Sequence, residues 1–229
     1  MIGSFGPLAR TSFGVVFSLL MFAAFDPSNA VAAPGFASGY TAIKAGFEAQ
    51  PQWQRIMTAA SARRAVSTTP WQDLIDGVAD KHPLRQLDAV NRYFNRIPYA
   101  EDMDAYGVKD HWATPEDFVR RNAGDCEDYS IAKYTALRAL GWSADALRVV
   151  VIRDHKYNVN HAALAAKLDG LWYYLDNRAS RLLRPSDVPF YQPIYALNEA
   201  QFSVFVKARP TLEAAARKTA PSQRPEHSG

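Results

Sequence analysis

The apolar periodicity of this chain changes at Gly141. Between residues 51 and 140 apolar side chains recur three and four residues apart; beyond 147 they gather in short β-branched runs. The first spacing builds one face of a helix and the second builds strands. Helices in one stretch and strands in the next predict an α+β fold, with N-terminal helices followed by an antiparallel sheet. Helices are expected over 51–64 (Trp53, Ile56, Met57, Ala60), from Thr69-Pro70 (Trp71, Leu74, Ile75, Val78) and from Pro83 (Leu84, Leu87, Val90, Asn91, Phe94). A short one follows Thr114-Pro115, with Thr114 as N-cap. Strands are expected over 147–153, 159–168, 171–175 and 202–206. Asp169-Gly170, between the middle pair, is the signature of a two-residue hairpin. Residues 33–50 read as a mixed lead-in, and 99–113 as an acidic, aromatic loop.

Arg10, an apolar run over 13–25 and Ala30-Val31-Ala32 have the three parts of a secretory signal peptide, so residues 1–32 are read as an export signal. The apolar run is short for a membrane span; an uncleaved N-terminal anchor is the other reading. Residues 33–209 then form one domain, and the polar stretch 210–229 a flexible tail. The mature chain is expected in the periplasm, not membrane-spanning once the signal is cleaved. Its net charge of +3 is small and scattered, which argues against a nucleic-acid partner. A phosphate-binding glycine loop and a dinucleotide fingerprint are absent, and one cysteine with dispersed histidines gives no closed zinc set.

That one cysteine, Cys126, lies in Gly124-Asp125-Cys126-Glu127-Asp128-Tyr129. In an exported chain it has no intramolecular disulfide partner. Asp125 reads as the N-cap of a helix carrying Ile131, Tyr134, Leu137 and Leu140, with Gly141 at its C′ position. Cys126 therefore falls in the first turn, where backbone N–H groups and the helix dipole favour a thiolate. A small buried core cysteine is the alternative.

A two-residue Asp169-Gly170 loop pairs Leu168 with Leu171, and so Ala163 with Asp176. His161 shares a face with Ala163, which makes it the diagonal neighbour of Asp176, with Cβ atoms roughly 7–8 Å or less apart. A carboxylate there can orient an imidazole, as a Cys-His-Asp triad requires. The other reading of Asp176-Asn177 is a plain strand end. His111, in the acidic loop, is the rival base; His82, His155 and His227 fit less well.

Cysteine at a helix start, then histidine and aspartate on successive strands, is the order of the papain-like or transglutaminase-like core. More closely, 91–205 resembles the LapG-like family of bacterial transglutaminase-like cysteine proteinases. The resemblance rests on Tyr106-Gly107, Asp110, Trp112-Ala113-Thr114-Pro115, the run GDCEDYSIAKYTALRALG (124–141), Asn160-His161-Ala162 and Tyr174-Leu175-Asp176-Asn177. It implies Cys126 as nucleophile, His161 as general base and acid, and Asp176 as the orienting residue. It also implies Ca2+, bound by Asp125 and Glu127. Three acids around a thiol raise its pKa, and a divalent cation reverses that local field. Asp102 or Asp104 could add oxygen ligands; alternatively Asp125 only caps the helix and the other acids face water. The family activity is cleavage of the N-terminal region of a large surface adhesin at paired alanines, releasing cells from biofilm. Its restraint is an inner-membrane receptor that responds to cyclic-di-GMP. A transglutaminase or amidase with the same triad, and a non-catalytic calcium-dependent binding module, are the alternatives.

Overall fold

A computed structural model describes residues 29–63 and 69–208. The export signal lies outside the described residues except for its last four positions, and the tail 210–229 lies outside them entirely. Strands β1 (Ala30–Val31), β2 (Tyr40–Ala45), β3 (Leu147–Asp154), β4 (Val159–Leu168), β5 (Leu171–Leu175), β6 (Tyr191–Leu197) and β7 (Phe202–Lys207) form one sheet in the order β1-β2-β7-β6-β3-β4-β5. Every pairing is antiparallel. Between β2 and β3 run α1 (Pro51–Arg63), α2 (Gln72–Val78), α3 (Pro83–Phe94), α4 (Asp102–Ala105), α5 (Pro115–Arg121) and α6 (Cys126–Ala139).

The class is the α+β arrangement read from the sequence, with three strands that the pattern hid. The lead-in 33–50 contains β2, which joins the sheet through β7 (Tyr40 opposite Lys207, Ala45 opposite Phe202). A strand therefore precedes the helices. β6 was hidden by Pro193, since proline within a run argues against a paired strand. The chain tolerates it through an irregularity: Val151 faces Tyr195 but Ile152 faces Pro193, so Ile194 is a bulge. The loop 99–113 holds the single-turn α4. The helix expected from Thr69-Pro70 begins two residues later, after a turn closed by the Gln72 N–H on the Thr69 carbonyl.

The middle of the sheet is covered on both sides. Val149, Val151, Ala162, Leu164 and Ala166 face a core with Leu87, Val90 and Phe94 of α3 and Ile131 and Leu137 of α6. Val150, Ile152, Ala163 and Ala165 face Phe36, Trp172, Tyr174, Val188 and Phe205. Double coverage explains why β3 and β4 read as continuous apolar runs. The hairpin forms in the expected register, Leu168 opposite Leu171, with Asp169 and Gly170 at φ 50° and 78°, the positive pair of a type I′ turn. β5 stops at Leu175, opposite Leu164, so the start of β4 is paired with β3 alone and is uncovered on its β5 side.

Eleven of the fourteen residues of α6 are buried, so it is a central helix with little solvent face. Gly141, at φ 88°, terminates it, with the Trp142 N–H on the Leu137 carbonyl. Leu137→Ala should lower stability by about 2–5 kcal/mol, the usual cost of a cavity at a fully buried leucine. Urea denaturation of the whole chain measures it.

Candidate active site

The chain enters the site through α5. Thr114 caps it by accepting the Asp117 N–H at 3.2 Å, and Asn122 ends it in the left-handed region at φ 53°. Gly124 then lies so close to Asp128 and Phe118 that an added Cβ would sit 2.3 Å from the Asp128 carboxylate and 2.7 Å from the Phe118 ring. Glycine at 124 is what lets Asp128 fold back. Asp128 Oδ2 accepts the Asp125 N–H at 3.3 Å, and Asp125 Oδ1 accepts the Glu127 N–H at 3.3 Å, which closes a reciprocal cap on α6. The second oxygen of Asp128 accepts the Ala113 N–H at 2.8 Å and ties the preceding loop to the helix start. None of these acids faces water: Asp125, Glu127 and Asp128 are all buried.

Cys126 sits in the first turn of α6, as read, and is buried. Its thiol donates to Glu127 Oε2 at 2.8 Å. Burial, the charges of Glu127 and Asp125, and that hydrogen bond push its pKa well up, while the nearby Ala162 backbone N–H lowers it. Ala162 lies on the part of β4 that β5 leaves uncovered. The helix start thus meets the sheet where β5 ends, one residue from His161.

His161 and Asp176 are fully buried and meet as the hairpin parity requires, with Nε2 3.1 Å from each carboxylate oxygen. Asp176 also accepts the Arg178 N–H at 2.8 Å on Oδ1 and the Tyr191 hydroxyl at 2.7 Å on Oδ2. Burial alone would raise its pKa. The His161 charge and the hydrogen bonds from His161, Arg178 and Tyr191 outweigh burial and hold the carboxyl well below the usual range. An ionised carboxylate only accepts, so Nε2 carries the proton and Nδ1 is bare in the neutral ring. Nδ1 is buried and has no hydrogen-bond partner among the described residues.

Acids gather beside the thiol. Oxygens of Asp102, Asp125 and Asp128 lie within 4.8 Å of one another, as do ligand atoms of Asp125, Cys126 and Glu127. Asp102 Oδ2 accepts the His111 N–H at 2.5 Å, while Oδ1 is buried and unpartnered among the described residues. Burial, opposed by the His111 N–H, raises the Asp102 pKa to about 6; burial raises Glu127 to about 7 and lifts Asp125 and Asp128 as well. An all-oxygen cluster with a spare buried lone pair fits a hard divalent cation such as calcium. Asp102, from α4, joins this cluster; Asp104 is exposed and outside it. The His111 ring packs at a tilt against Tyr106, centroids 4.4 Å apart, with its backbone tied to Asp102.

Two neighbours of the His161–Asp176 pair escaped the sequence reading. Lys133 is fully buried in α6, its Nζ bonded to the Leu175 carbonyl at 3.2 Å. It lies seven residues after Cys126, two turns along the same face, and that spacing was its available signal. Tyr191 carried none.

Residues 66–206 match the family described as bacterial transglutaminase-like cysteine proteinase. The chain belongs to this family. It is a cysteine peptidase, and Cys126 is its only cysteine. Solved structures of Legionella pneumophila LapG resemble the proteinase. One is 28% identical, with a TM-score of 0.53, covering 65% of this chain and 87% of that one. A calcium-bound form is 26% identical, TM-score 0.53, covering 73% and 98%. An EGTA-treated form is 29% identical, TM-score 0.54, covering 67% and 87%. No curated protein matches the sequence.

Lys133 gives the proteinase a pH signature. Burial lowers its pKa from 10.5 to about 7, against an opposing pull from Asp176. Between these values the unfolded chain binds more protons at this residue than the folded one. Its contribution to stability therefore rises with pH from about 7 to 10 and is fully unfavourable below 7. In Lys133→Met that dependence should vanish. The stability of the variant relative to wild type should fall as pH rises through this window, as read by denaturant titrations at each pH.

Proposed function

We propose that this chain is an exported, calcium-dependent cysteine endopeptidase with a Cys126-His161-Asp176 triad. The observation that carries the reading is the bare, buried Nδ1 of His161, with Asp176 on Nε2 and the backbone of the next residue, Ala162, near the Cys126 thiol. Nδ1 takes the thiol proton as the sulfur bonds to the substrate carbonyl carbon, and the carbonyl π electrons move to oxygen. Asp176 stabilises the imidazolium so formed. The Cys126 N–H, at the start of α6, is the default donor to that oxyanion. On collapse the carbon–nitrogen bond breaks and His161 returns the proton to the leaving amine. The acyl group stays on sulfur until His161 deprotonates a water that attacks it, which restores the thiol.

Asp125 and Glu127, with Asp102 and Asp128 beside them, would hold calcium; the similar LapG structure in its calcium-bound form supports this reading. A divalent cation among these oxygens supplies the positive charge that the thiolate otherwise lacks. Glu127 has a second part. While its carboxylate accepts the thiol's hydrogen bond, the S–H is engaged by Glu127 and held protonated. That contact is also the observation that favours a non-catalytic, calcium-dependent module. The physiological reading is a periplasmic enzyme cleaving the N-terminal region of a surface adhesin, restrained by an inner-membrane receptor that responds to cyclic-di-GMP. No helix among the described residues is long and apolar enough to cross a membrane. Transfer to an amine, as in a transglutaminase, or hydrolysis of a small amide would use the same triad, and product analysis distinguishes them.

Cys126→Ala should abolish cleavage of an adhesin N-terminal fragment and keep the circular dichroism spectrum; residual cleavage removes the nucleophile assignment. A calcium chelator should suppress wild-type cleavage, and full activity with the metal shown absent removes the calcium claim. In the metal-free protein, Glu127→Gln should raise the iodoacetamide alkylation rate of Cys126 at neutral pH about tenfold, as a nearby negative charge is lost. An unchanged rate means Glu127 does not restrain the thiol.

A further inference from the structure

The Asp176 carboxylate is gripped from two elements. The Arg178 N–H, in the loop after β5, holds Oδ1 at 2.8 Å, and the hydroxyl of Tyr191, the first residue of β6, holds Oδ2 at 2.7 Å. Both bonds are shorter than the two 3.1 Å contacts that the carboxylate makes with His161 Nε2. A carboxylate fixed at one oxygen can still turn its plane; fixed at both, it presents a constant face to the imidazole. The Tyr191 ring is itself fixed. It packs edge-on to His161 at 6.0 Å, to Tyr174 at 5.8 Å and to Phe190 at 5.3 Å. Burial, then the Asp176 charge and the hydrogen bond, push the Tyr191 pKa far up, so the hydroxyl remains a donor at any physiological pH.

Tyr191 reaches this place because of the Ile194 bulge. Tyr195 pairs with Val151 and belongs to the helix-covered core. Strict alternation would put Tyr191, four residues away, on that same face. The extra residue reverses the parity, and Tyr191 lies opposite Asp154 and against the other core, the face that carries His161 and Asp176. The remaining charged groups around the pair are committed elsewhere. Lys133 of α6 bonds the Leu175 carbonyl, and the Arg178 guanidinium pairs with Asp154 of β3 at 3.0 Å.

We propose that Tyr191 is a positioning residue for the His161–Asp176 pair, holding Asp176 so that Nε2 keeps its proton and Nδ1 stays free to receive one. The proposal rests on the Cys-His-Asp reading above. Tyr191 does not touch the reacting atoms; it acts through Asp176. Without the hydroxyl, the carboxylate turns toward its Arg178 anchor and the imidazolium loses part of its counter-charge.

Tyr191→Phe keeps the ring and removes one oxygen. With calcium chloride present, alkylation of Cys126 by iodoacetamide at neutral pH should slow about tenfold, the effect of losing a hydrogen bond to a charged group. In a Cys126→Ala background, the low-field NMR resonance of the His161 Nε2 proton should be sharp while Tyr191 is present and exchange-broadened once Tyr191→Phe is added. A purely structural tyrosine would lower the melting temperature and move neither readout, and that result overturns the proposal. Asp176→Asn separates the two levels. If it depresses both readouts while Tyr191→Phe leaves them unchanged, the triad stands and the tyrosine proposal fails; if Asp176→Asn also changes neither, the triad reading itself fails.

Discussion

The burial of α6 against β3 and β4 is the constraint on which the site depends. The helix gives up nearly all of its solvent face, and the small residues Ala162 and Ala166 of β4 form part of the floor it packs on. Its first turn then lies at the corner where β5 stops at Leu175 and β4 continues, paired on one side only, with β3. There Ala162 comes near the Cys126 thiol, with His161 the residue before it in β4 and Asp176 the residue just after β5. A longer β5 would have filled that corner.

Burial also decides the electrostatics. Asp102, Asp125, Glu127 and Asp128 are removed from water around a thiol that must ionise to react. Desolvation and mutual repulsion favour their protonated forms, and the same field favours the thiol over the thiolate. The helix dipole, which points the other way, is opposed by the Asp125 and Glu127 carboxyl groups beside the thiol. Asp176 is the contrasting case. It is as deeply buried, yet the His161 charge and donors on both oxygens keep it ionised. One site thus holds two carboxylate environments: one kept ionised beside an imidazole, the other an oxygen cluster that suits a cation.

Much of this was legible in the chain. The Asp169-Gly170 turn fixed a register, and the register placed His161 and Asp176 on one face, because side-chain parity in a two-residue hairpin leaves no freedom. Asp125 before an apolar helix marked the cap, and Gly141 its end. What was not legible lies where local pattern and tertiary structure part. β2 has too little alternation to announce itself and exists through its pairing with β7. β6 contains a proline and a bulge, each of which argues against a strand when read locally. The acids after Cys126 could equally have faced water; only the packing of α6, and a glycine at 124 that admits the Asp128 carboxylate, turned them inward.

The sequence by itself therefore determined the nucleophile candidate, its helix and the imidazole–carboxylate pair, since each follows from short-range geometry that a dozen residues encode. The tertiary structure decided what surrounds them. Asp102 comes from a single turn of helix more than twenty residues before the cysteine, and Tyr191 from a strand whose bulge reverses its facing. Contacts between elements distant in sequence depend on which faces the packed core brings together, and no local spacing records that.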